Sequence, residues 1–201
     1  VTQFLWEIIT DETPSRHKGD NKPVERISWL DSLVFANRLS ETLGLKKVYD
    51  IPSTLTIGMK LSSEDAKLMV RRIKVNADAN GYRLPTVQEW KYAAEAGQSF
   101  TYSGSDDLDE VGWYGANEYN HKTKKWEKVG LGNSNQKTHD VALKKPNGLG
   151  LYDMSGNVWE WTWDQSKNNK NKRYAIGGSY ENAKKYCRLE YCNYSNNNFS
   201  R

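Results

Sequence analysis

The sequence predicts an α+β fold, read as one loop-rich domain over residues 1–201, and three observations carry that prediction. Two amphipathic helices with readable caps lie in the first half. From about Phe100 onward the pattern changes to short segments broken by Gly-, Asn- and Ser-rich clusters at 103–107, 117–123, 130–138, 146–150 and 167–172, with little helical periodicity between them. Finally, Trp159, Trp161 and Trp163 alternate with Glu160, Thr162 and Asp164 at the period of a strand.

In order along the chain, Ser28 with Asp31 three residues on reads as a helix start. Trp29, Leu33, Ala36, Leu39 and Leu43 follow at helical spacing, and Gly44 offers the left-handed stop. A shorter helix is expected over 63–71, then a turn at 76–81. Thr86 and Glu89 form a capping box behind Pro85, Trp90, Ala93 and Ala94 supply an inner face, and Gly97 ends the second clear helix. The 159–164 strand is expected to bury its indoles on one face and to present oxygen ligands on the other.

Composition excludes several function classes. A chain of 201 residues that is 37% hydrophobic and 12% aromatic can bury a core. The net charge of +4 is dispersed among carboxylates, which argues against a nucleic-acid partner. No apolar run approaches the roughly 20 residues that span a bilayer. The chain begins on Val1, so a processed or trimmed N-terminus is expected and the compartment stays open. Two cysteines, Cys187 and Cys192, and three scattered histidines make neither a disulfide framework nor a zinc signature. Around "DMSGNVWE", Asp153 and Glu160 supply hard oxygens with turning backbone between them; a calcium loop and a simple hydrogen-bonded turn both fit. The final 25 residues, 177–201, hold five Asn and four Tyr. Asn favours exposure, whereas tyrosines left in water forgo their burial, so the stretch reads either as a floppy terminus or as a contact surface.

The blocks "NGYRLPTVQEWKYAAEAG", "YSGSDDLDEVGWYG", "KKPNGLGLYDMSGNVWEWTWD" and "YAIGGSY", in this order, resemble the signature of the formylglycine-generating-enzyme (sulfatase-modifying factor) family. The resemblance implies a C-type-lectin-like fold with a small twisted antiparallel sheet, and a chain trimmed at both ends. It implies a structural calcium held by Asp153 and Glu160 side chains with Gly156 and Val158 carbonyls. In the family's oxidases, two cysteines five apart after "GGSY" bind copper and convert a substrate cysteine to formylglycine. Aligned on that block, the first falls on Asn182 and the second on Cys187, so the copper pair is expected to be absent; pairing Cys187 with Cys192 instead requires an insertion and gives the alternative, a copper-dependent oxidase.

The chain also resembles the family's non-enzymatic branch, the variable proteins of diversity-generating retroelements, of the treponemal type. There the segment after "GGS" is the ligand-binding surface, rewritten at adenines of Asn codons. This implies that Tyr180, Asn182, Tyr186, Tyr191, Asn193, Tyr194, Asn196, Asn197, Asn198 and Phe199 contact a protein or other macromolecular ligand, with no catalytic residue. It further implies a bacterial cell-surface or extracellular location, with any membrane attachment made by a lipid anchor outside this sequence.

Overall fold

The computed structural model describes residues 1–167 and 169–196. Helix α1 (Gln3–Thr10) opens on Thr2, whose hydroxyl accepts from the Leu5 N–H, and closes on Asp11 in the left-handed region. Its β-branched and aromatic content gave no helical signal; the cap, and the stacking of Trp6 on Phe35 with centroids 4.7 Å apart, decide the conformation.

Helix α2 (Trp29–Thr42) has the expected capping box: Ser28 Oγ accepts from the Asp31 N–H, and the Asp31 carboxylate accepts from the Ser28 N–H. It buries Trp29, Leu30, Leu33, Val34 and Ala36 in the largest apolar cluster. Strand β1 (Tyr49–Asp50) pairs antiparallel with β2 (Lys74–Val75), and α3 (Ser63–Arg72) lies between them in the chain. Helix α4 (Val87–Glu95) follows the predicted Thr86–Glu89 box and ends through Ala96 and Gly97, both at positive φ. Replacing Thr86 by Ala leaves the Glu89 N–H without its side-chain acceptor, so a loss of about 1 kcal/mol is expected in urea unfolding. No measurable loss would show that Glu89, also paired with Arg83, holds the helix end alone.

Helix α5 (Leu108–Val111) leads to a hairpin of β3 (Asn117–Asn120) and β4 (Lys125–Lys128). The turn cluster read at 117–123 is thus half strand, because Tyr119 pairs across the hairpin with Trp126. The main sheet is antiparallel in the order β5 (Glu160–Ser166), β6 (Asn169–Ile176), β7 (Cys192–Asn196).

Strand β5 departs from its expected alternation. Its polar side chains do not form an open oxygen-bearing face, because α4 packs there. The Trp90 indole donates to Glu160, the Val87 N–H to Asp164 Oδ2 at 2.6 Å, and Thr162 is wholly buried with its hydroxyl on the Tyr174 carbonyl. Asp164 thereby satisfies one of the orphan donors of the α4 N-terminus.

Candidate functional site

Strand β6 ends at Ile176, and the chain turns through Gly177 and Gly178, both at positive φ. A Cβ on Gly178 would stand 2.6 Å from Cys187 Sγ, so the close return of the segment requires glycine there. Ser179 to Asn182 then cross under Asn157, a 3-10 turn covers Lys184–Cys187, and β7 closes the sheet.

This path sorts the expected contact residues. Tyr180 is half-buried, edge-on to His17 at 5.2 Å, and donates its hydroxyl to Glu181; burial, then the Glu181 charge, pushes its phenol pKa up. Tyr191 is half-buried beside Trp159 and Tyr186. Asn193 is half-buried, Tyr194 is 39% exposed beneath the Lys172 ammonium, and Asn196 is exposed at the end of β7. Asn197, Asn198 and Phe199 lie outside the described residues. Two expectations need correction. Tyr186 is not a surface contact: it is 4% exposed, and its hydroxyl accepts from the Tyr119 N–H at 2.9 Å. Asn182 is buried as well, its Oδ1 accepting from the Trp159 indole at 2.8 Å and the Ser179 hydroxyl at 2.6 Å. The outward reading of the tail failed at these two because the β3–β4 hairpin and the Trp159 loop come back over it.

Beside this segment is a cleft of about 820 Å³. One wall is the tail itself, Ser179 to Asn182 with Asn193; the facing wall is Arg16, Glu25 and Arg26; Asn117, Trp126, Val158 and Trp159 complete it. Asn117 is locked against Asn182 by an isolated parallel bridge, with Asn117 N–H on the Glu181 carbonyl and Ala183 N–H on the Asn117 carbonyl. Buried Glu25 ties the opposite wall together, accepting through one carboxylate oxygen from the N–H groups of Arg16 and His17. Sequence reasoning found neither arginine, nor Asn117, Trp126 or Trp159 as lining. The available signal was faint: two arginines around an isolated Glu, and an aromatic at the centre of the Lys-rich 124–128 stretch.

Of the residues expected to hold calcium, Val158 lines this cleft and Asp153, Gly156 and Glu160 do not. Asp153 Oδ2 accepts from the Ala142 N–H at 2.8 Å, and Glu160 accepts from the Trp90 indole; burial raises both carboxyl pKa values. Gly156 has φ of 93° and donates to the Gly177 carbonyl at 2.7 Å. Among the described residues the Gly156 and Val158 carbonyls accept no hydrogen bond, and no group of three or more His, Cys, Asp or Glu is placed to hold a metal. Two inward carboxylates and two unpaired carbonyls suit a hard cation in donor type.

The cysteines are both free thiols. Cys187 packs among Tyr102, Leu108, Val111 and Tyr114, whereas Cys192 borders a different cluster around Trp90 and Ile176. Burial pushes the Cys187 thiol up to about 12 and also raises Cys192, which opposes the thiolate form that a copper ligand or nucleophile needs. Iodoacetamide at pH 8 is therefore expected to spare Cys187 in the native protein and to modify it only on unfolding. Rapid native modification of Cys187 would contradict its placement.

Comparison with known proteins fits this geometry. The family model described as "Sulfatase-modifying factor enzyme 1-like domain" matches residues 2–200. The chain is 41% identical over 168 residues to "Chaperone protein LppX" of Paenibacillus barcinonensis, covering 82% of this chain and 59% of that protein. It is 42% identical over 82 residues to the formylglycine-generating enzyme of Mycobacterium tuberculosis, covering 41% of this chain and 27% of the enzyme. It thus spans less than two thirds of either relative. Among solved structures, Treponema denticola variable protein 1 superposes with a TM-score of 0.81 at 27% identity, over 100% of this chain and 78% of that one. CarF follows with a TM-score of 0.68 at 30% identity, over 93% and 67%. The helices, the small antiparallel sheets and these neighbours give the C-type-lectin-like fold, and the chain belongs to the sulfatase-modifying factor enzyme 1-like domain family.

Proposed function

We propose that this chain is a ligand-recognition domain that binds a macromolecular partner across the cleft between the Tyr180–Asn193 tail and the Arg16–Arg26 wall. The observation that carries this is the cleft: a large, open, aromatic- and amide-lined space built on the segment expected to vary, with neither cysteine in its lining. The likeness to a treponemal variable protein over the whole chain supports the reading. Tyrosine and asparagine suit such a surface, one giving rigid contact area and the other adaptable hydrogen bonds. On this reading Tyr180 and Asn193 meet the partner in the cleft, Asn182 reaches it only through its amide NH₂, Tyr191, Tyr194 and Asn196 meet it beyond the cleft edge, and Tyr186 shapes the wall. A display position on a bacterial surface, through a lipid anchor elsewhere in the full protein, belongs to the same proposal.

Alanine at Tyr180 or Tyr194 is expected to weaken partner binding by about tenfold or more while leaving the melting midpoint nearly unchanged. Equal binding by both variants would overturn the reading. Independently, genomic DNA is expected to hold a near-copy of the last thirty or so codons, differing mainly at adenines, beside a reverse transcriptase gene. The copper-oxidase alternative predicts formylglycine in a sulfatase-type cysteine peptide incubated with this chain, copper and oxygen; none is expected.

We also propose that Asp153, Glu160 and the Gly156 and Val158 carbonyls hold calcium, which would neutralise two buried carboxylates and fix the loop that brings Val158 to the cleft. Calcium at about a hundredfold over its Kd is expected to add about 2.7 kcal/mol of stability, and Glu160→Gln to abolish that gain. A melting midpoint indifferent to both calcium and chelator would dismiss the site.

A further inference from the structure

We infer that the partner enters the cleft as an extended acidic peptide segment, its carboxylate held between Arg16 and Arg26; this rests on the binding reading above and specifies its chemistry. The first ground is an excess of donors. An indole N–H and a backbone N–H can only donate, so the Trp159 bond fixes Asn182 Oδ1 toward the protein, and the Tyr194 N–H at 2.8 Å fixes Asn193 Oδ1 likewise. Each amide is left with its NH₂ group, for which the described residues supply no acceptor. Asn182 is 93% buried, yet the residue lines the cleft.

The second ground is the two guanidinium groups in the cleft lining. Arg16 and Arg26 are exposed, and among the described residues neither makes an ion pair or side-chain hydrogen bond. Arg26 is held at φ of 64°, in the left-handed region. The carboxylates of the same walls are differently occupied: Glu25 accepts from two backbone N–H groups and Glu181 from the Tyr180 hydroxyl. Glu25 is engaged inside the protein and Glu181, though exposed, already accepts from Tyr180, whereas both guanidinium groups line the cleft with no partner among the described residues.

Ligand class follows from this imbalance. A sugar would meet the two guanidinium groups only through neutral hydroxyl oxygens, weaker partners than an ionised carboxylate. A polyphosphate brings only acceptors, but Glu25 and Glu181 cancel the long-range field that would draw a polyanion in. An extended peptide offers backbone carbonyls to the two amides and a side-chain carboxylate to the cleft arginines, and a guanidinium matches a carboxylate in bidentate geometry. Trp126, 52% exposed at the rim, gives such a segment an apolar contact.

The test is selection of a phage-displayed random dodecapeptide pool on the wild-type chain and on the Arg16→Ser/Arg26→Ser double variant, with unchanged melting of the variant confirmed first. Asp and Glu are expected to be enriched on the wild type and not on the variant. For the best synthetic peptide, exchanging its carboxylate for the amide should weaken binding about 10- to 100-fold, and the exchange should have little further effect on the double variant. Enriched peptides lacking acidic residues, equal affinity for wild type and variant, or preferential binding of polygalacturonate or single-stranded DNA would each overturn the proposal. Peptides that lose affinity with Tyr180→Ala but not with the arginine variant leave the cleft in place and remove only the acidic ligand; peptides indifferent to both remove both.

Discussion

Truncating Trp29 to alanine is expected to cost about 3–5 kcal/mol, a large share of the roughly 5–15 kcal/mol that holds a typical domain together. The side chain is wholly buried in the cluster shared by α2, β1, β5 and β6. Its indole donates to the Thr162 carbonyl at 2.9 Å, and its face lies 4.1 Å from the Arg173 guanidinium, which also donates to the Trp163 carbonyl. Burial already lowers the Arg173 pKa to about 10, so removing the ring takes away an attractive partner from a cation that has few. The cavity, the lost hydrogen bond and the uncovered cation act in the same direction. Urea unfolding monitored by the remaining tryptophans measures the sum, and a loss below about 1 kcal/mol would mean that the β5 register is held without it.

The second large effect separates two tyrosines eight residues apart. Tyr186→Ala is expected to cost about 3–4 kcal/mol, since it empties a buried site between Trp126 and Tyr191 and leaves the Tyr119 N–H without its acceptor. Tyr186→Phe keeps the ring and should cost about 1 kcal/mol. Tyr194→Ala, at an exposed position of β7 beside Lys172, should cost less than about 1 kcal/mol. Matching losses from the two alanine variants would contradict the placement of the tail. The contrast also guards the binding experiments: lost binding in Tyr186→Ala reports a collapsed wall, whereas lost binding in Tyr194→Ala reports a contact.

The Ser28–Asp31 and Thr86–Glu89 boxes and the existence of a strand through Trp163 were legible because each is settled within about four residues of chain, whereas the covering of that strand's polar face by α4 was not. The first helix was not, because its β-branched and aromatic residues carry no helical preference and Trp6 finds Phe35 only after α2 has folded back. In the tail, composition showed that contact was needed but not with what. Tyr186 and Tyr194 are the same residue type in the same window, and nothing local divides them.

By itself, then, the sequence determined the capped helices, the tryptophan strand and, through its ordered blocks, the family. Only the tertiary structure decided which tail residues face outward, and that Arg16 and Arg26 stand opposite them. The physical reason is range. Caps and periodicity are short-range backbone effects, whereas burial and cleft geometry depend on contacts such as Tyr119 to Tyr186 and Trp29 to Thr162, which are 67 and 133 residues apart and form only when the whole chain closes.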